Sequence, residues 1–197
     1  MVKSILYFCF TLIFFTSFSQ EVNQIDSKGR KQGKWQKTYE NSRAFIYVGQ
    51  FKNDVPVGTF YYYYPSTKKK AIIQHNEKNK RSKAYLFHEN GSLIAYGIYQ
   101  NQLKDSVWTH FGPSERLSYK ETYKSGKLNG LKTIYYVPED PNDKSSRVAR
   151  TENYLDGVRH GKYVEYFDLG VKKGSGTYKN GRLIGKVISN YPNGKPM

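Results

Sequence analysis

Tyr123–Gly130 reads YKSGKLNG, Tyr154–Gly161 reads YLDGVRHG and Tyr178–Gly185 reads YKNGRLIG. Each stretch opens on an aromatic anchor, places Ser-Gly, Asp-Gly or Asn-Gly two and three residues later, and closes on glycine seven residues after the anchor. Degenerate copies precede them at Phe51/Gly58, His75/Ser82 and Tyr99/Ser106, with Asp26/Gly33 as a weak first member. Successive anchors lie 25, 24, 24, 24, 31 and 24 residues apart. A fixed period of this size is the mark of a repeat architecture. The interval of 31 is one unit carrying seven extra residues, within PEDPNDKSSR (Pro138–Arg147).

The dipeptides at the phrase turns suit two-residue hairpin loops, whose two central residues both need positive φ. A second set of turn residues follows 15 and 16 residues after each anchor, as at Asn90-Gly91 and Asn193-Gly194. Two turns in 24 residues leave two arms of about eight residues, an ordinary strand length. Arms such as GTFYYYYP (Gly58–Pro65) and GKYVEYFD (Gly161–Asp168) are aromatic and β-branched, with no helical stripe. The expected fold is all-β: an elongated, single-layer antiparallel meander of about seven 24-residue hairpins, starting near 26, 51, 75, 99, 123, 154 and 178. About thirteen strands at ~4.8 Å spacing extend some 60 Å.

The anchors Phe51, His75, Tyr99, Tyr123, Tyr154 and Tyr178 are expected to stack as a ladder. A second layer stands two residues past each closing small residue, at Trp35, Phe60, Trp108 and Tyr163, with Ala84, Lys132 and Val187 as departures. A third stands five past it, at Tyr63, Phe87, Phe111, Tyr135 and Tyr166. The closing residues, including Gly58, Gly130, Gly161 and Gly185, either leave room for a ring or supply an unusual backbone angle.

Residues 1–19 read as a secretory signal peptide. Lys3 precedes the apolar run Ile5–Phe15, and Ser17 and Ser19 stand at −3 and −1 of a cut before Gln20. The run is too short for a membrane span, which needs about 20 apolar residues, so no span is expected after cleavage. The only cysteine, Cys9, falls inside this leader, so residues 20–197, the repeat domain, contain no disulfide or thiolate site. They carry a formal charge of +15, from 31 Lys/Arg against 16 Asp/Glu. Such a surface favours acidic partners: acidic glycan, anionic lipid or nucleic acid. Export argues against nucleic acid as the physiological partner.

The pattern aromatic-x-Asn-Gly-x-x-x-Gly, followed by an aromatic-rich strand, resembles the MORN repeat. GKWQKTY (Gly33–Tyr39) and GKYVEYFDLG (Gly161–Gly170) resemble the short second half of its bacterial variant. The resemblance covers about Asp26 to Met197 and is weakest in the His75 unit. It implies a β-hairpin array used as a scaffold for protein contacts, with lipid binding proposed for some members. Some bacterial members carry an antitoxin label, which implies neutralisation of another protein. The repeat has no catalytic residues to transfer.

The residues themselves offer little reaction chemistry. His75, His88, His110 and His160 form no ligand pair, and no nucleophile or phosphate-loop motif is present. No metal site or cofactor is expected. The insertion holds Glu139, Asp140 and Asp143 but lacks the order of a calcium loop, and reads as an exposed loop. Glu121 and Glu152 stand two residues before their anchors, where other units have Gly49, Ile73, Gly97 and Gly176. They read as solvated or lysine-paired strand positions rather than an acid–base pair.

The expected function is that of an exported, non-enzymatic scaffold for protein contacts in the cell envelope or outside the cell, its protein partner unspecified. The alternatives are a basic surface for anionic glycan or lipid and an antitoxin-like partner. For the basic surface, the candidate residues are Lys68, Lys69, Lys70, Lys78, Lys80, Arg81 and Lys83, expected to converge within ~10–15 Å at neighbouring strand ends. The other reading of these residues is solubility and blunting of strand edges.

Overall fold

The computed structural model describes residues 21–76, 80–140, 142–143 and 145–197. The leader expected at residues 1–19 and the cut before Gln20 lie outside these residues, as does Lys78. Among the described residues there is no helix. Fourteen antiparallel strands form one open sheet, and their order in space is their order in the chain. The first half comprises β1 (Gln24–Ile25), β2 (Lys31–Thr38), β3 (Phe45–Lys52), β4 (Val55–Tyr63), β5 (Lys69–Asn76), β6 (Arg81–Phe87) and β7 (Leu93–Gln100). The second comprises β8 (Leu103–Phe111), β9 (Leu117–Lys124), β10 (Lys127–Tyr135), β11 (Val148–Leu155), β12 (Val158–Tyr166), β13 (Lys172–Lys179) and β14 (Arg182–Ser189). The meander is as expected, with the two-residue β1 as one strand beyond the thirteen arms.

Turn chemistry sets this order. At the phrase turns both central residues have positive φ: 53° and 66° at Asn53-Asp54, 47° and 88° at Asp156-Gly157, 50° and 81° at Asn180-Gly181. That is the twist a two-residue hairpin requires. Turns on the opposite edge carry one positive φ each, as at Gly91 and Gly170. There, Gly170 N–H donates to Phe167 O, and Phe167 N–H to Val171 O. The ribbon thus has a phrase edge and a far edge.

The closing small residue supplies a backbone angle. Gly58, Gly130, Gly161 and Gly185 have φ of 65°, 117°, 96° and 68°, and Ser106 adopts 59°. Each interrupts the pairing of its hairpin, as between Val48 and Gln50 opposite Gly58. Ser82 does not enter this region, and β5–β6 pairs without interruption from Ala71↔Leu86 to Asn76↔Arg81. Room for a ring comes instead from the glycine two before the anchor. A Cβ on Gly49 or Gly97 would overlap the ring of Phe60 or Trp108, and on Gly176 would lie 2.7 Å from Tyr163.

The anchors do not stack directly on one another, because consecutive anchors are two strand spacings apart, roughly 10 Å. The second-layer rings fill the gaps edge-on. Phe51 meets Trp35 at 5.8 Å and Phe60 at 5.2 Å between centroids, and His75 meets Phe60 at 5.1 Å. Tyr99 meets Trp108 in the same way at 4.9 Å, while Tyr178 and Tyr163 make a tilted contact at 5.2 Å. Such edge contacts suit the quadrupoles of the rings. Trp108 and Phe60 are the largest fully buried side chains, so one face of a single sheet provides the core. Cations cap it: Lys31 Nζ lies 4.8 Å from the Trp35 ring, and Lys104 Nζ 4.4 Å from Trp108.

A further layer lies one residue beyond the third. The hydroxyls of Tyr39, Tyr64 and Tyr136 donate to the carbonyls of Tyr63, Phe87 and Tyr166, at 2.9, 2.9 and 2.6 Å. Each clasp ties one unit to the next along the far edge. The described residues of the insertion after β10 also lie there and are tied down. Arg116 donates to the carbonyls of Pro138 and Asp140 at 2.7 and 2.8 Å, and Arg147 pairs with Asp143 and Asp168.

Candidate functional site

The basic residues singled out above that the structure describes do not form one patch. Asn76 pairs with Arg81 beside the hairpin turn, while Ala71 pairs with Leu86 near the other end. Lys68, Lys69 and Lys70 therefore lie at the far edge, and Lys80 and Arg81 at the phrase edge, about 20 Å away along the strand. The expected convergence is overturned. Only residues next to a hairpin turn are brought together by it, and positions 68–70 stand a full strand before the turn. Lys83 lies within β6, its Nζ 5.1 Å from the Tyr85 ring. Lys70 Nζ lies 5.7 Å from the Tyr64 ring, and Arg81 Nη2 is 3.3 Å from Ser106 Oγ.

Charge gathers instead in the middle of the ring face. Lys132 replaces a second-layer ring, and it pairs across the strands with Glu121 on one side and Glu152 on the other. Both carboxylates are buried, at 7% and 2% exposure. Lysine pairing is as expected for Glu121; solvation is not. Trp108 and Tyr163, the flanking members of the row, are the cross-strand neighbours of Glu121 and Glu152 on their other sides.

Glu121 accepts from Lys132 Nζ at 2.9 Å and from the Tyr123 hydroxyl at 2.8 Å. Burial pushes its carboxyl up, but these two donors outweigh it and hold the group below the usual carboxylate range. Burial and the Glu121 charge push the Tyr123 hydroxyl well up. His110 Nε2 stands 3.7 Å from Glu121 Oε2 without a hydrogen bond, and its ring stacks on Tyr119 at 4.3 Å. Burial, with Lys104 and Lys132 nearby, lowers its pKa and keeps the imidazole neutral at pH 7.

Glu152 repeats the device one unit on. Its Oε1 accepts from the Tyr154 hydroxyl at 2.8 Å. Its Oε2 lies 3.2 Å from Arg150 Nη2 and 3.1 Å from Arg159 Nε, without an aligned hydrogen bond. Arg150 also holds Glu165 at 2.9 Å, and Arg159 lies over the Tyr178 ring at 5.4 Å. Both carboxylate oxygens of Glu121 and of Glu152 face a donor or cation. This section is an internal ion network that continues the ring row in charged form. Among the described residues, no group of three or more His, Asp and Glu is placed to hold a metal, and no helix is long and apolar enough to cross a membrane.

Among the described residues, no second layer covers the opposite face. Cross-strand pairs set one row there: Val48, Tyr61, Ile72, Tyr85, Tyr96, Thr109, Lys120, Thr133, Thr151, Val164, Ser175 and Ile188 in turn. Exposed apolar side chains lie on or beside it, among them Tyr61, Tyr96, Val107, Leu131, Ile184 and Ile188. Sequence reasoning missed this row. Its signal was the alternation of each arm, which assigns a second face as firmly as the first.

No family model matches the chain, and the search of curated proteins finds no relative.

Proposed function

We propose that the chain is an exported, MORN-like repeat scaffold that acts by binding and not by catalysis, presenting its uncovered sheet face to a protein partner. The observation that carries this reading is the single-layer sheet itself. One face is closed by rings and ion pairs, while the other leaves Val107, Leu131 and Ile184 exposed. Apolar side chains spread along an uncovered face mark a contact surface. The leader-like segment at residues 1–19 supports export, and with it a contact in the envelope or outside the cell.

Affinity capture from native envelope extract, washed at low and at high salt, tests this. A protein retained at high salt by the parent, and lost from a Leu131→Lys/Ile184→Lys variant, is the expected result. Retention that vanishes at high salt for every captured species counts against a stereospecific protein contact, because exposed charge pairs are screened there.

A further inference from the structure

On the open face, Tyr61, Ile72, Tyr85 and Tyr96 are consecutive members of one straight cross-strand row on β4 to β7. Tyr61 and Tyr96 are 38% and 36% exposed, and Tyr85 is half-buried beside Tyr96 with centroids 6.2 Å apart. The row then reaches Thr109 and Lys120. Lys83 flanks it, 5.1 Å from the Tyr85 ring. The acid beside it is Asp105, which shares Ile98 as a neighbour with Lys83 and accepts from the Ser106 hydroxyl at 3.0 Å.

We propose that this strip binds one extended chain of an acidic polysaccharide, with sugar faces on Tyr61, Tyr85 and Tyr96 and carboxylates toward Lys83 and Lys120. The inference rests on secretion of the protein but not on its having a protein partner. Three features select this ligand. On one side the strip is bordered by the polar or charged Thr59, Gln74 and Lys83, which share its face, and on the other by Phe111, whose ring lies 6.0 Å from that of Tyr96. The members repeat at the strand spacing of ~4.8 Å, close to the rise of one pyranose along an extended chain. Finally, cations lie beside and at the end of the ring file, in a chain whose formal charge is +16, and an anionic ligand complements them.

Titration of the purified protein with polygalacturonate, with its fully methyl-esterified form and with phosphatidylglycerol vesicles tests the strip. Polygalacturonate is expected to bind at least tenfold more tightly than the uncharged ester. Tyr61→Ser/Tyr96→Ser should weaken both polysaccharides at least tenfold, and Tyr61→Phe/Tyr96→Phe should restore them. Lys83→Gln/Lys120→Gln should bring the acid form down to the level of the ester and leave the ester unchanged. Each variant is compared at an unfolding midpoint matched to the parent. No binding of polygalacturonate, or equal binding by the Ser variant, overturns the proposal. Vesicle binding stronger than polysaccharide binding and lost in the same variants assigns the strip to a lipid surface and also overturns it. The capture experiment above reads a protein partner through different residues, so the two readings fail separately.

Discussion

Lys132 Nζ lies 2.9 Å from Glu121 Oε1, in a position that a buried ring occupies in other units. The pair stands where Gly97 and Trp108 stand one unit earlier, so a charged contact and a glycine–ring contact are interchangeable solutions to one slot.

This equivalence predicts opposite results for single and paired substitutions. Lys132→Ala strands a buried carboxylate and should cost about 3–5 kcal/mol. Glu121→Gly/Lys132→Phe restores the glycine–ring arrangement and should match the parent or exceed it by about 1–4 kcal/mol. Urea unfolding of the three proteins checks this. A double variant less stable than Lys132→Ala would show that the slots are not equivalent.

The dependence on pH follows from the same section. The pKa of His110 is lowered in the fold from 6.5, so its contribution is complete above pH 6.5 and is lost as pH falls through the lower folded value. His75, lowered by burial, acts in the same sense. Glu121 is held below 4.5, so its share is present above pH 4.5 and is lost at still lower pH. Melting temperatures measured from pH 8 to pH 4 should therefore fall toward acid, with His110→Phe giving a shallower slope between pH 7 and pH 5. A slope unchanged by that substitution would remove His110 from the account.

Two glycine substitutions separate crowding from backbone angle. Gly97→Ala drives a methyl into the Trp108 ring and should cost about 1–3 kcal/mol or more by overpacking. Gly157→Ala meets open space and should cost about 1 kcal/mol, for its positive φ alone. Thermal unfolding ranks them, and the reverse order would contradict the packing described for the ring row.

Removing a clasp should be felt between units. Tyr64→Phe deletes the bond to the Phe87 carbonyl and should cost about 0.5–1.5 kcal/mol. Amide exchange is expected to accelerate at the far ends of β4 to β6 before it does so elsewhere. Uniform acceleration along the chain would argue against a local clasp.

Much of this was legible in the sequence, because it is written in local chemistry. Asn180-Gly181 and Asp156-Gly157 name their own turn type, and the anchor spacing fixes which strands are neighbours. What escaped depended on the partner across the strand. Lys132 was visible as a departure from the ring layer, but its meaning required Glu121 and Glu152 on either side. Gly49 and Gly97 looked like mere non-acidic equivalents of those glutamates until Phe60 and Trp108 were seen lying across them. The clasp tyrosines Tyr39, Tyr64 and Tyr136 obey the same register, yet a hydroxyl aimed at a neighbouring carbonyl leaves no trace in periodicity. The basic residues were misjudged because nearness to a turn was assumed for Lys68 to Lys70, which stand one whole strand away.

The sequential strand order also decides how the molecule answers force. Tension between the two ends runs across the strands, along the hydrogen bonds and not perpendicular to them. Each hairpin then opens like a zipper, a few bonds at a time, with the next hairpin loaded only after the last has yielded. Each opened unit releases about 24 residues of slack, at up to ~3.3 Å per residue. A protein held at both ends in this way extends in low, repeated steps, and it recovers them one hairpin at a time when the load is removed.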